Sequence, residues 1–439
     1  MSRKLIMAIV ALSFVFTGAA FAAVENIKVS GDIGEQYLVR DFTMGASTDG
    51  DDSDHQGVFS QIRLRFDADL TEGVSATVRL LNERLWNAED SNDDKESLNL
   101  DLGYIELKEF FYQPLTLIVG RQNLRYGNAM IVGDPDTNQT AAGETPSIVS
   151  DLSWKKSFDS IRAVLDFSPY TIDVIYARLK ENDTGYRDEQ NLYGVNVAYD
   201  WAMGNGAVTE GYFFGTDNSD STGTWTDKKD RVYALGARTL FHLSENFTLG
   251  TEGAYQFGRR AASATSHQSR RAYAGQFISE YRFNNKYDAK VGIDYSFFSG
   301  DKPNSDRYEA WDPMYEDQTP AELMNILLTQ SNRQLIGFTA SMAPVEDVIL
   351  KVRYARGWCV KGFTSSIIQV AAGPAAGNIY YVNAGKKFLG DEIDISANYD
   401  YTEDIKFSLS GACLLPGKVF TGENNHPAYS VRGGVVVNF

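Results

Sequence analysis

The sequence is poor in cysteine and proline, and it has no long apolar run after its first residues. Cys359 and Cys413 are the only cysteines among 439 residues, and there are 11 prolines. One disulfide at most excludes a disulfide-dense secreted scaffold. We interpret both thiols as unpaired and inert. No later segment holds the roughly 20 consecutive apolar residues of a membrane-spanning helix.

The chain has fewer basic than acidic residues: 41 Lys and Arg stand against 58 Asp and Glu, which gives a formal net charge of -17. It opens with Arg3 and Lys4, the apolar run "LIMAIVALSFVF" and then "GAAFA", in which Ala20 and Ala22 fit an A-x-A cleavage site. We therefore expect a secretory signal peptide at 1–22 and one mature domain at 23–439. Removing the two basic residues gives -17 - 2 = -19, which argues against nucleic acid as a partner.

Histidine is scarce, and this bears on catalysis. The four histidines are His55, His242, His267 and His426. None accompanies a serine motif, and no paired His or Cys spacing indicates a metal site. We predict that the protein is not an enzyme and uses no metal or cofactor.

What the chain does have is aromatic residues, glycine and a period of two. It contains 24 Tyr, 25 Phe and 38 Gly. "FSQIRLRFDADL" at 59–70 and "YDAKVGIDYSFF" at 287–298 alternate apolar and polar residues, as a strand with two different faces does. Such runs of roughly ten residues, closed by turn residues, recur along the chain. Membrane barrels and soluble sandwiches both alternate in this way.

Three features favour the barrel. Aromatic residues stand near the turns, as in membrane-interface girdles, and the chain ends on Phe439 after an alternating strand. Linkers such as "LTEG", "LSEN" and "YTED" are tight, whereas the stretches between them are long and polar, including 259–269. We predict an all-β fold, a single transmembrane antiparallel β-barrel of about 18 strands with short periplasmic turns and long extracellular loops. We place 378–387 in a loop or in an extension of the next strand, and we expect a helical turn in 321–330.

Four stretches of the sequence carry distinctive motifs. "VGRQNLRYGNAMIVGD" at 119–134 contains Gly-Arg-Gln and Tyr-Gly, and "WKKSFDSIR" follows at 154–162. The other two are "WDPMY" at 311–315 and the stretch 389–420. Together they resemble motifs of the alginate-export family of outer-membrane barrels and related porins. Met130 stands where a basic residue is usual in the family, and the histidine-bearing continuation expected after "WDPMY" is absent.

The resemblance implies that Arg121, Gln122 and Arg125 lie at the external end of the fifth strand, before a long loop at 123–157 that includes Trp154. These four residues then belong either to a loop that constricts the pore or to a solvated rim. Gly120 and Gly127 would supply bends and close backbone approach.

Charged residues on the polar strand faces must point into the lumen, because a charge facing lipid at the midplane costs roughly 2 to 4 kcal/mol. The pore-lining candidates are Arg63, Arg65, Asp67, Arg79, Arg162, Asp166, Arg238, Glu252, Lys290, Asp294, Lys351, Arg353 and Arg432. Arginine rings are a device of anion pores. The alternative is that Arg and Asp on neighbouring strands form structural ladders.

These observations predict a channel in the outer membrane of a Gram-negative bacterium, in contact with its lipid and lipopolysaccharide. It would pass an anionic polysaccharide or uronate-type solute. A general or mildly anion-selective porin for small solutes is the alternative, and a barrel-anchored surface adhesin is a more distant one. Family likeness implies a monomer, and no sequence feature identifies a periplasmic partner.

Overall fold

The computed structural model describes residues 26–42, 54–86, 98–136, 147–180, 190–201, 206–218, 230–263, 266–302, 305–369 and 379–439. The expected signal peptide at 1–22 lies outside these residues.

Within the described residues, eighteen antiparallel strands form one closed barrel, as predicted. Each strand pairs with its neighbour in the chain, and β1 closes the barrel against the last strand, with Asp32 opposite Asn438. The barrel strands are β1 (Asn26–Asp41), β2 (Asp54–Thr71), β3 (Val74–Leu85), β4 (Leu98–Leu107), β5 (Leu115–Asn123), β6 (Ser157–Phe167), β7 (Tyr170–Lys180), β8 (Gln190–Asp200), β9 (Val208–Asn218), β10 (Asp230–Ser244), β11 (Phe247–Ser263), β12 (Ser266–Arg282), β13 (Lys290–Phe298), β15 (Arg333–Val345), β16 (Val348–Cys359), β19 (Phe388–Asp400), β20 (Ile405–Pro416) and β21 (Ala428–Asn438).

The remaining elements lie in the connections. Strand β14 (Arg307–Tyr308) pairs with β12, whereas β17 (Ile367–Gln369) and β18 (Ile379–Tyr381) pair only with each other. Residues 379–387 therefore contribute no strand to the barrel wall, and the prediction of a loop there is confirmed. Helix α1 (Glu322–Leu327) confirms the expected helical turn, and two 3-10 helices are Ser147–Leu152 and Gly422–Asn425. None of the helices among the described residues is long and apolar enough to cross a membrane.

The outward face of the barrel is apolar. Side chains such as Ile27, Phe66 and Ile395 are exposed on it. Aromatic residues gather near the short turns: the rings of Tyr199 and Trp201 lie 4.9 Å apart, and other such pairs are Tyr281 with Phe283 and Tyr399 with Tyr401. This arrangement is the girdle expected where a barrel meets the membrane interface.

Connections alternate in length as predicted, with one exception. The stretch 259–269, expected to be a long loop, instead extends β11 to Ser263 and starts β12 at Ser266. Backbone pairing continues there, with Arg259 opposite Ser269 and Arg260 opposite Gln268. Hydropathy does not mark these residues as strand, because the sequence there consists of small and polar residues without apolar alternation. Cys359 is buried, Cys413 is exposed, and both are unpaired, as predicted.

Candidate functional site

Three segments from the long connections fold into the barrel and pack against the inside of its wall. Among the described residues they are 124–136, 147–156 and 305–331, the last of which adds β14 to the edge of β12 before it turns inward. Met130 and Tyr315 from the first and third segments are buried in one apolar cluster with wall residues, among them Phe214 and Phe298. Met130 is fully buried there. Leu323 and Met324 of α1 fill a second cluster against the strands near the C-terminus.

The first and third segments are joined through their backbones, so the motif at 119–134 meets the "WDPMY" motif. Gly133 N donates to Tyr315 O at 2.7 Å, Tyr315 N donates to Ile131 O at 3.0 Å, and Asp317 N donates to Ala129 O at 2.9 Å. The Phe158 ring meets Tyr315 edge-on at 6.2 Å, which brings the "WKKSFDSIR" motif to the same place. Three stretches distant in sequence thus form one unit.

Ion pairs also hold these three stretches together. Asp317 accepts hydrogen bonds from Arg125 and from Lys156, and Lys156 Nζ lies 3.3 Å from Asp134 Oδ2. Burial raises the pKa of Asp134 to about 6, outweighing the charge of Lys156. Burial also disfavours charged Lys156, but the two carboxylates outweigh it and its pKa is raised. Arg125 therefore links two inserted segments.

Glu252 fixes the first segment to the wall. Its carboxylate accepts from Tyr212 Oη and from Asn128 N, both at 2.7 Å. Arg238 Nε donates to Asn128 Oδ1 at 2.6 Å. A Cβ at Gly127 would lie 2.5 Å from Glu252 Oε1, and Gly127 has a φ of +59°. Glu252 is therefore a buried anchor, and this carboxylate is engaged by the loop.

Both glycines of the first motif have the expected roles. Gly127 permits the close approach to Glu252. Gly120 has a φ of +127°, and a Cβ on it would lie 2.2 Å from the Gly103 carbonyl oxygen of the neighbouring strand. The predicted bend and close backbone approach are confirmed.

The 147–156 segment brings Trp154 into the lumen. Its ring centroid lies 4.2 Å from the Arg63 guanidinium carbon, a cation–π contact. Glu83 holds the segment, since its carboxylate accepts from Trp154 N and from Ser153 Oγ, both at 2.7 Å. Trp154 thus covers one of the predicted pore arginines.

All seven predicted lumen arginines make ion pairs with inward carboxylates. The pairs are Arg63 with Asp32 (2.9 Å), Arg65 with Asp67 (2.7 Å), Arg79 with Asp101 (2.5 Å), Arg162 with Asp173 (2.9 Å), Arg238 with Glu210 (2.8 Å), Arg353 with Asp294 (2.6 Å) and Arg432 with Glu322 (2.7 Å). Those of Arg65, Arg162 and Arg353 use two nitrogens and both carboxylate oxygens. Each arginine is thus held in a defined geometry.

The Arg353 pair depends on a glycine. Arg353 lies on β16 and Asp294 on β13, with β15 between them. The guanidinium crosses β15 above Gly337, where a Cβ would lie 2.1 Å from Nη2. Thr339 Oγ1 accepts a further hydrogen bond from Nη1 at 3.0 Å.

The other predicted lumen residues lie near the periplasmic end. Lys290 Nζ is 3.7 Å from Asp288. Asp166 accepts a hydrogen bond from Ser168 N at 2.9 Å and so stabilises the β6–β7 turn. Lys351 is exposed, and no ion pair to it is present in the part of the chain that the structure describes.

Arg121 and Gln122 point in opposite directions, as neighbours on a strand do. Arg121 shares the parity of the exposed Val119 on the outward face and pairs with Asp159 at 2.7 Å. Gln122 is buried and donates to the carbonyl oxygens of Ile118 and Ser160, both at 3.3 Å. Arg121 is a rim residue, and Gln122 holds the strand end.

Sequence reasoning missed most of the carboxylate partners. Asp32 and Asp173 lie on inward faces that strand parity could have identified. Glu210 lies on a strand of ambiguous parity. Glu322 and Asp317 come from inserted segments, whose position strand parity does not give. Across the described ranges, no group of three or more His, Cys, Asp or Glu residues is arranged to hold a metal ion.

Known proteins share this architecture. The family model for alginate export matches residues 26–433. Three solved structures from Pseudomonas aeruginosa are similar in fold: OpdQ (12% identity, TM-score 0.56, 95% of this chain and 98% of that chain), OccK2 (OpdF) in complex with glucuronate (12%, 0.56, 95% and 99%) and OpdK with vanillate (13%, 0.55, 95% and 99%). No curated protein matches the sequence.

The match spans nearly the whole barrel, and OpdK, whose fold is similar, is an outer-membrane protein of Pseudomonas aeruginosa. The chain therefore belongs to the alginate-export family and is a channel in the outer membrane of a Gram-negative bacterium.

Proposed function

We propose that this channel passes a polyuronate or another anionic saccharide through a lumen lined by carboxylate-held arginines. The observation that carries the proposal is the set of seven inward ion pairs, in which arginines are positioned and charge-compensated before any solute arrives. A solute carboxylate has the same geometry as the wall carboxylate and can replace it in the guanidinium fork.

Each contact between an arginine and the solute is weak, because the solute carboxylate must replace a wall carboxylate. An arginine leaves its wall carboxylate only when a solute carboxylate replaces it, so the net gain per contact is small. Repeated weak contacts allow transit, whereas one tight site would trap the solute. The exposed Lys351, together with Lys290 near the periplasmic end, would attract the anion by charge.

The neighbouring structures support a carboxylate solute by analogy of fold. OccK2 was solved with glucuronate and OpdK with vanillate, and both ligands are carboxylates. The alginate-export match supports the polymeric member of this class.

A general porin for small solutes is the second candidate. It is favoured by the same pairs, because arginines that stay on their wall carboxylates give a lumen with little net charge and weak ion selectivity.

Single-channel recording separates the two. The purified protein in a planar bilayer would receive oligogalacturonate or a neutral glucan of the same length on one side. A polyuronate channel shows saturable, length-dependent blockade by the uronate alone. Equal blockade by both oligomers, or by neither, would favour the general porin.

A charge-neutral variant makes this test specific. Arg353→Gln with Asp294→Asn keeps both side chains polar and removes one ion pair without changing net charge. We expect blockade to weaken by about tenfold, which corresponds to losing one charge-assisted contact of about 1.4 kcal/mol. Lys406→Gln with Asp400→Asn, which removes a 3.4 Å pair at the periplasmic mouth, is the matched control and should change blockade less.

A further inference from the structure

Arginines gather on the outward face of the barrel, where β10, β11, β12 and β14 reach the external rim. Strand register places Arg231 opposite Arg259, Arg259 opposite Ser269, and Ser269 opposite Arg307. Three arginines and one serine therefore lie in a single row across four neighbouring strands. We call Arg231, Arg259, Arg271 and Arg307 the rim patch.

Arg271 lies one row lower, opposite Phe257. Parity shows that the patch faces outward, because Leu235, Tyr255 and Tyr273 on the same faces are 58%, 44% and 56% exposed. Phe257, two residues below Arg259, is also exposed. At about 3.4 Å per residue the arginine lies about 7 Å further along its strand. The patch is thus at headgroup height, above the outer aromatic girdle.

The rim patch is short of negative charge. Directly opposed like charges such as Arg231 and Arg259 destabilise a sheet. Arg231 lies 3.4 Å from Asp217, and Arg307 lies 3.9 Å from the highly exposed Asp306. Arg259 and Arg271 have no carboxylate partner among the described residues.

Two other outward arginines at this rim are compensated. Arg121 pairs with Asp159 at 2.7 Å, and Arg356 pairs with Asp391 at 2.6 Å. Arg259, which faces Arg231 across the strands, and Arg271 therefore differ from these compensated arginines, and an external anion would neutralise their charge.

We propose that the rim patch binds the phosphate groups of a phosphorylated glycolipid in the outer leaflet. Guanidinium forks match phosphate oxygens in pairs. The exposed rings of Tyr255, Phe257 and Tyr273 directly below would contact the acyl chains of the same molecule. A ligand with anionic groups above and apolar chains below fits this surface, whereas a free anion would use only its upper part.

Native mass spectrometry of the full barrel in detergent tests the site. Bisphosphorylated lipid A, its dephosphorylated form and inorganic phosphate are the probes. The test variant is Arg259→Gln with Arg271→Gln, and the control is Arg356→Gln, an outward rim arginine with its own carboxylate. Heat-modifiable migration on a gel reports that each barrel is folded.

We expect the wild type and Arg356→Gln to bind one bisphosphorylated lipid with equal affinity, and the double variant to bind it at least tenfold more weakly. Dephosphorylated lipid A should bind the wild type as weakly as the double variant binds the phosphorylated form. Equal binding of phosphorylated lipid to wild type and double variant would overturn the proposal. Displacement of the lipid by millimolar phosphate would also contradict it, since the site would then be a simple anion site.

Discussion

In the lumen, glycines and buried carboxylates determine where individual side chains and backbone segments lie. Gly337 leaves room for the Arg353 guanidinium, and Gly127 lets its backbone approach Glu252. In both places an added Cβ would lie within 2.5 Å of a charged side-chain atom. The positions of these charged groups thus depend on glycines, which have no functional side chain.

Replacing Gly127 with alanine should loosen the 124–136 segment. The added Cβ would lie 2.5 Å from Glu252 Oε1, and a φ of +59° is strained for alanine. The two effects together cost about 1 to 3 kcal/mol of docking free energy. The rate of tryptic cleavage after Arg125, measured on the purified barrel, should rise about tenfold or more.

Gly211→Ala is the control for this change, because a Cβ there meets no atom within 4 Å. Cleavage after Arg125 should match wild type in that variant. An unchanged cleavage rate in Gly127→Ala would contradict the role assigned to Glu252.

At the scale of elements, the inserted segments carry much of the site. Arg125, Lys156, Asp134 and Asp317 tie three of them into one unit, and Phe158 packs on Tyr315. Because these contacts join distant stretches, weakening one segment should loosen the others.

Asp317→Asn should weaken the contacts that hold the three inserted segments together. The change removes the charge that receives Arg125 and Lys156 while keeping the side-chain size. Both cations are partly exposed, so we expect a loss of only about 1 to 2 kcal/mol. Hydrogen exchange in 124–136 should accelerate, whereas Asp306→Asn, at a highly exposed position of the same segment, should leave it unchanged. If hydrogen exchange accelerated only in 305–331, the segments would dock independently of one another, which would contradict this prediction.

Docking of the third segment should weaken with rising pH. Burial raises the pKa of Glu316 to about 8, so the docked state favours the protonated carboxyl. Its stability is therefore highest at low pH, falls as pH rises from the usual glutamate value towards 8, and then levels off. Open-channel current fluctuations should increase between pH 6 and pH 9. Glu316→Gln should abolish this increase, and Glu309→Gln should retain it. A wild-type channel whose fluctuations ignore pH would contradict this assignment.

The strands were predictable, because a lipid-facing strand must alternate, whereas the inserted segments were not. "WDPMY" and the 119–134 motif give no sign in sequence that they pair. The extension of β11 and β12 to Ser263 and Ser266 was missed, since small and polar residues without apolar alternation resemble a loop. Arg353 and Asp294 were both expected in the lumen, but their contact across β15 depends on Gly337, which parity does not identify.

At the scale of the whole molecule, the barrel combines an apolar exterior with an interior of paired charges. The net charge of -17 does not conflict with anion transport, because the lumen arginines carry their own carboxylates. Solute charge can therefore be exchanged for wall charge at each step without a large change in total electrostatic energy.

The voltage dependence of the dwell time of oligogalacturonate in single channels tests passage most directly. We predict that the dwell time first lengthens as the driving voltage is raised from zero. At higher voltage it should shorten, because the polyanion then leaves through the far side of the channel. Blockades that only lengthen with voltage would mean that the saccharide enters and returns, which would contradict transport through this lumen.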